Sequence, residues 1–249
     1  MLSGHTVVVP GGTGAIGEGV VRAYLDAGAD VIVPTRSQAR AEEFRQLLRG
    51  VPAQRLRLMV QDYSSFDAAA ELADRVQRDF GTVDHVVAPI GGWWAGKPLW
   101  QIDESDWQRA FVGLATTHMA VVRAFLPRLT DRGAYLLIVG TSADTPVPGS
   151  GIVSMEQAAL LMMRNVLAAE IGDQQRVFAL ILGPMTTRHT GPGDPDAVTS
   201  AQVGTVAVAA SSAPACTGQE IRLRGQADVA QALATFRSQP GQRSGVNNK

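Results

Sequence analysis

TVVVPGGTGAIGEG, residues 6–19, runs from an apolar β-branched stretch (Thr6 to Val9) into a glycine cluster and on into a helix-compatible segment, Glu18 to Ala27. β-Branched runs pack well on a pleated sheet, and a glycine cluster ends them. Strand, glycine turn and helix are the context in which the spacing Gly12-x-Gly14-x-x-Gly17 carries meaning. Gly12 is expected to take the angles of the tight turn. Gly14 lets backbone N–H groups approach a pyrophosphate, and Gly17 lets helix and strand pack closely. The helix N-terminus then offers free N–H groups and the positive end of its dipole to the phosphates. The reading is a dinucleotide-binding turn; the alternative is a glycine turn without a ligand.

The second strand spans Asp30 to Arg36. Its end faces the adenosine ribose, where NAD-binding turns place an acid to hold the 2′-hydroxyl. Here the residue 19 positions after Gly17 is Arg36, with Arg40 one helical turn on. A cation suits a 2′-phosphate, so the expected cofactor is NADP(H) rather than NAD(H).

The chain has 249 residues, 45% hydrophobic and 18% charged, with formal net charge −1. That composition suits one globular α/β domain over residues 1–237 with a loose tail over 238–249. No basic cluster points to nucleic acid or to a membrane surface. Cys216, the single cysteine, excludes an internal disulfide and a cysteine metal cluster. No histidine pair is spaced for a metal, so none is expected. The chain enters its first strand at once and shows no apolar run of bilayer length. The expected setting is cytoplasmic, with a small-molecule substrate.

In order, helix is expected over Ser37–Leu48, strand over Leu56–Val60, and an amphipathic helix over Ser65–Phe80 with Phe66, Ala69, Leu72, Val76 and Phe80 on one face. Strand follows at Asp84–Ala88, broken by Pro89-Ile90-Gly91-Gly92, then a loop bearing Trp93, Trp94 and Trp100. Long helices are expected over Trp107–Leu126 and Ile152–Ile171, strands over Ala134–Val139 and Arg176–Leu182, and a mobile lid over His189–Ser200. A helix over Val203–Ser211 and a strand over Glu220–Leu223 complete the pattern. Alternating strands and helices give a single-domain, doubly wound parallel sheet with helices on both faces. Its ligand crevice lies outside the carboxyl ends of the strands, and Trp93 and Trp94 read as an apolar substrate wall there.

From the first strand to about Gly225 the sequence resembles the short-chain dehydrogenase/reductase family, whose domain is a Rossmann fold. Pro10-Gly11-Gly12-Thr13-Gly14-Ala15-Ile16-Gly17 is similar to that family's nucleotide loop. Asp62 matches the acid that contacts the adenine, and Asp84-His85-Val86-Val87 the strand into its Asn-Asn-Ala-Gly motif, here Ala88-Pro89-Ile90-Gly91. Gly183-Pro184-Met185-Thr186-Thr187 resembles the loop that covers the nicotinamide. Thr217-Gly218-Gln219-Glu220-Ile221 resembles the run into the last strand. The resemblance implies cofactor contacts at residues 11–17, Ala88, Gly91, Thr186 and Thr187. It also implies a homodimer or homotetramer built through the two long helices.

The family's proton relay is a Tyr and a Lys one helical turn apart. Aligned on Ala158-Ala159-Leu160, those positions fall on Val153 and Gln157, and the Asn of the preceding helix on Leu114. Tyr24, Tyr63 and Tyr135 lie elsewhere, as do Lys97 and Lys249. Valine and glutamine are not acids at neutral pH. The family's carbonyl-holding serine maps to Gly140-Thr141-Ser142, so Ser142 or Thr141 keeps that role, and Gln157 is assigned to the nicotinamide ribose. Glu156, expected to be solvated or at an interface, His118, His189 and Asp144 are lesser candidates. Three functions follow: an NADP(H) oxidoreductase of small apolar substrates with a non-standard proton source; a non-redox cyclase, isomerase or dehydratase; or a non-catalytic NADP-binding or partner-binding homologue.

Overall fold

A computed structural model describes residues 1–51, 53–191 and 193–238. The expected tail lies outside the described residues except for Ser238. Seven strands form one sheet: β1 (Thr6–Val8), β2 (Asp30–Thr35), β3 (Leu56–Val60), β4 (Val83–Ala88), β5 (Leu129–Gly140), β6 (Arg176–Leu182) and, after a small two-stranded ribbon of β7 (Met185–Thr186) and β8 (Val198–Thr199), β9 (Glu220–Leu223). The order is β3-β2-β1-β4-β5-β6-β9, and every pair is parallel. This is the doubly wound sheet, whose order reverses between β1 and β4.

The two-residue period of the strands divides the core. Val7, Val31, Val33 and Val87 point to one face, Val8, Ile32, Val86 and Ala88 to the other. The first face is covered by α1 (Ala15–Asp26), α2 (Gln38–Leu47), α7 (Ser200–Ser211) and α8 (Gln226–Arg237), and the second by α3 (Phe66–Phe80), α5 (Gly113–Phe125) and α6 (Gly151–Ile171). The α8 helix had no counterpart in the sequence reading. It starts straight after Gly225, and only Val229, Ala232 and Phe236 are buried. Its apolar signal is therefore sparse.

Most expected boundaries hold within three residues. Strand β5 starts five residues before the expected Ala134, at Leu129, with a register shift against β4 between Val83 and His85. The expected Trp107–Leu126 helix begins earlier: α4 (Glu104–Trp107), capped by an Asp103–Asp106 capping box, continues through a π-helical turn, Gln108–Val112, into α5. The Trp107 and Phe111 rings stack at 4.3 Å across that turn. In α3, Ala69, Leu72 and Val76 are buried as expected, whereas Phe66 and Phe80 sit half-exposed at the two helix ends. The Arg123 guanidinium lies 5.4 Å from the centre of the Phe66 ring. The Glu104–Arg128 stretch is 25 residues long with a window of mean hydropathy 1.3, long and apolar enough to cross a bilayer, contrary to the sequence expectation. Half of that window is buried inside the protein, as in a core helix.

Two features lock the first face. Arg176 is fully buried and donates to the carbonyls of Ala210, Ser211 and Ala213, closing the C-terminal end of α7. Helices α1 and α7 cross backbone to backbone. A Cβ on Gly19 would coincide with the Ser200 carbonyl, and one on Gly204 would collide with the Gly19 carbonyl and lie 2.8 Å from the Ala23 Cβ. The Gly204→Ala variant is therefore expected to lose about 2–3 kcal/mol by overpacking. A urea-unfolding midpoint equal to wild type would refute the crossing.

Candidate active site

The strands end in a crevice made of two joined cavities that share Gly14, Pro89, Ile90 and Gly91. The larger, about 760 Å³, is walled by Trp93, Ile138, Val147, Val153, Leu182 and Met185. Its side-chain polar groups are Thr141, Ser142, Gln157 and His189. The smaller, about 390 Å³, is polar: Thr35, Arg36, Ser37 and Arg40 at one side, Tyr63 and Ser64 at the other. Leu114, at the family's Asn position, also lines it.

The glycine loop is built by contact, not by flexibility alone. Gly11, rather than Gly12, carries the positive φ, +84°, and a Cβ there would lie 2.5 Å from the Pro89 carbonyl oxygen. Gly12 is required for space: its Cβ would sit 2.8 Å from the Val9 carbonyl and 2.9 Å from a Val33 methyl. A Cβ on Gly17 would strike the Gly11 carbonyl and come within 2.6 Å of the Gly12 Cα. Thus Gly12 and Gly17 serve packing, and neither lines a cavity. Thr13, Gly14, Ala15 and Ile16 do line the crevice. Gly14 is the N-cap of α1 and supplies no side-chain cap, which leaves the first helical N–H groups open toward it.

Arg36 and Arg40 are exposed at the rim of the polar cavity and make no ion pair or side-chain hydrogen bond among the described residues. The Ser37 hydroxyl accepts from the Arg40 amide and caps α2. Asp62 does not line either cavity. Its carboxylate holds its own loop, accepting from the Tyr63 and Ser64 amides and the Ser64 hydroxyl at 2.8–3.2 Å. These bonds, together with the Arg36 charge, outweigh desolvation and keep it below the ordinary aspartate range. Tyr63 replaces it at the cavity wall, and its hydroxyl accepts from the Gly11 amide at 3.1 Å.

The segment after β6, where the expected lid His189–Ser200 begins, turns at residues 187–191 and is held by its own hydrogen bonds. Thr187 does not line the cavity. Its hydroxyl accepts from the His189 amide at 3.2 Å, and its carbonyl accepts from the Thr190 and Gly191 amides. Thr186 pairs in the β7–β8 ribbon. Arg188 reaches across the crevice and donates to the Thr13 and Gly14 carbonyls at 3.1 and 3.2 Å and to Glu18 at 2.8 Å. Sequence reasoning missed Arg188 because its partners are 170 to 175 residues away.

At the start of α6, Gln157 is held at both ends. Its Oε1 accepts from the Gly140 amide, and its Nε2 donates to Glu156 at 2.7 Å. One Nε2–H stays uncommitted. The Ser142 and Thr141 hydroxyls make no hydrogen bond among the described residues, and Ser142 is nearly buried at the cavity wall. Glu156 is not solvated as expected: it is 1% exposed, and its Oε1 has no partner among the described residues. His118 is buried against the Ile90 carbonyl, 3.0 Å from Nε2, and does not line the larger cavity. Burial depresses it to about 4. Asp144 is tied to Arg222 on β9. Trp93 lines the cavity, but Trp94 is not part of its wall, and Ala88 is buried within β4.

Burial pushes Glu156 up from 4.5 to about 7, the Gln157 bond lowering it only partly. Between these values the folded chain keeps a proton that the unfolded chain has released. Stability therefore falls as pH rises through this window, by about 3 kcal/mol in all, and levels off above it. Glu156→Gln is expected to match wild type in urea unfolding at pH 4 and to exceed it by about 3 kcal/mol at pH 8. A difference independent of pH would contradict the buried neutral carboxyl.

The family model described as Enoyl-(Acyl carrier protein) reductase matches residues 11–225. A short chain dehydrogenase of Pseudocercospora fijiensis is 28% identical over 197 residues, 78% of this chain and 63% of that protein. An uncharacterized NAD-dependent oxidoreductase of Mycobacterium tuberculosis is 27% identical over 190 residues, 69% of this chain and 68% of its own length. The chain thus spans about two thirds of these relatives. The solved alcohol dehydrogenase of Thermococcus sibiricus, complexed with 5-hydroxy-NADP, shares the fold at TM-score 0.78 and 22% identity, over 89% of this chain and 97% of that one. A match from the glycine loop past β9, on a parallel sheet of this order, has one meaning: the chain belongs to the short-chain dehydrogenase/reductase family.

Proposed function

We propose that the protein is an NADP(H)-dependent oxidoreductase acting on a small, largely apolar carbonyl or related acceptor. The observation that carries this is the joined pair of cavities: a polar one with two unpaired arginines, meeting an apolar one at the glycine loop. The residues present fit the nucleotide. The α1 N-terminus and the side-chain-free Gly14 receive the diphosphate, and Arg36 and Arg40 receive a 2′-phosphate.

NADP(H), when bound, supplies or accepts the hydride. The chain's own residues do the rest. Gln157, pinned by Gly140 and Glu156, turns its remaining Nε2–H to the nicotinamide ribose. The unpartnered hydroxyls of Ser142 and Thr141 hold the substrate oxygen, and the Trp93–Val153–Met185 wall excludes water and selects apolar groups. Val153 stands in the wall where the family's tyrosine would be, so the proton source differs from the family's. That replacement favours a second reading, a non-catalytic NADP-binding homologue, which binds cofactor without turnover at 340 nm.

Self-association belongs to the same proposal. Met119 on α5 and Met155, Met162 and Val166 on α6 are exposed, with Met162 at 61%. A dimer or tetramer is the expected species by light scattering at micromolar concentration, and a monomer there would refute it.

Titration with NADPH and NADH by tryptophan quenching tests the cofactor. Wild type is expected to prefer NADPH, and Arg36→Ala to lose about tenfold or more in NADPH affinity while NADH binding is unchanged, as one charge-assisted contact is worth about 1.5–3 kcal/mol. Equal affinity of wild type for both cofactors would exclude NADP specificity.

A further inference from the structure

The larger cavity, next to which the nicotinamide end would lie, is poor in proton donors. Among the described residues that line it there is no Asp, Glu, Lys, Arg, Tyr or Cys. Its alcohols, Thr141 and Ser142, and the Gln157 amide do not release protons near neutral pH. The remaining lining group is His189, an imidazole, which is the side chain suited to that exchange.

We propose that His189 is the general acid and base of this site, so that the proton comes from the turn after β6 and not from helix α6. This rests on the oxidoreductase reading above. Three observations support it. His189 is among the residues that line the cavity with Gly140, Ser142 and Gln157; it is exposed, and its imidazole makes no side-chain hydrogen bond among the described residues. The turn that presents it is braced from within: the Thr187 hydroxyl accepts its amide at 3.2 Å, and the Thr190 hydroxyl donates to the Met185 carbonyl at 3.2 Å. Arg188, next to it, fastens the turn to Thr13, Gly14 and Glu18. Adjacent side chains thus point to different tasks. Arg188 holds the turn at the glycine loop, and His189 is left at the cavity lining.

The step balances. In reduction, the carbonyl carbon receives the hydride pair from the reduced nicotinamide and forms a C–H bond. The carbonyl π bond breaks toward oxygen, which takes the proton from the His189 imidazolium. The imidazole regains a proton from water through the open mouth. Oxidation of the alcohol runs in reverse, with neutral His189 accepting the hydroxyl proton. The charged groups around it are already paired: Arg188 with Glu18 on the helix beneath, and Glu18 with Arg22. Glu156 lies behind Gln157, buried and out of the lining.

The test screens wild type with NADPH against aromatic aldehydes, cyclic ketones and enones, then repeats the best acceptor with His189→Gln and His189→Ala. The expected result is a fall in kcat of about 100-fold in both variants, within the usual range for general acid catalysis. NADPH affinity and melting temperature should stay at wild-type values. The pH profile of kcat should differ between wild type and His189→Gln. Added imidazole should restore part of the His189→Ala rate, which a merely structural histidine would not show. The NMR signal lost in His189→Gln should shift in wild type on addition of NADP⁺, a reading independent of turnover. Active wild type with His189→Gln within threefold of it, and the same pH profile, overturns this proposal alone. Wild type that binds no cofactor, or reduces none of the acceptors, overturns the oxidoreductase reading and this proposal with it.

Discussion

The contact of backbone with backbone at the glycine loop sets the rest of the site. Gly17 lies on the Gly11 carbonyl, and Gly11 lies on the Pro89 carbonyl. These contacts bring the end of β1, the start of α1 and the break after β4 to one point. A single methyl at any of them would push the elements apart, because no flexible side chain is present to yield. The same point is where the two cavities meet. The opening of α1 toward the crevice, the polar rim beyond it and the apolar chamber behind it are consequences of that closeness. A second close approach, Gly19 against α7, fixes the far flank of α1, so the helix cannot relieve strain at its N-terminus by tilting.

The sheet was legible because its signals are local. Val7, Val8 and Val9, or Val31, Ile32 and Val33, alternate faces within one strand, and Gly or Pro marks the strand ends. The cofactor rim was legible for the same reason, since Arg36 follows β2 at a spacing the chain itself fixes. What was not legible depends on packing across long separations. Arg188 finds Thr13 and Glu18, and Arg176 finds the end of α7, by proximity that no window reveals. Asp62 shows another limit: the residue type matches an adenine contact, and nothing in the sequence tells that its carboxylate also accepts from the Tyr63 and Ser64 amides and the Ser64 hydroxyl. Glu156 misled because helical spacing places an acid on a face without saying that the face is dry.

Three buried groups share one physical state. His118, His85 and Glu156 are each driven neutral by desolvation, His85 to about 3 with help from Arg176 and His5. Their linkages oppose one another. The histidines bind fewer protons folded than unfolded, so they weaken the fold as pH falls below about 6.5. Glu156 does the reverse as pH rises toward 7. Two of the three groups border the crevice, through Ile90 and through Gln157.

That neutrality bears on how the family's chemistry is redistributed. In a tyrosine–lysine arrangement the cation lowers the phenol's pKa and both sit on one helix. Here the helix offers Val153 and Gln157, and a buried acid, Glu156, fixes the amide where the lysine would stand. An amide held at both ends keeps the ribose-binding geometry but provides no charge to activate a phenol, so a tyrosine at 153 would itself be a poor acid. Val153 forms part of the apolar wall. Proton transfer must then come from an element the helix does not control. The turn after β6 is such an element, because Arg188 ties it to the glycine loop and so to the cofactor's own site.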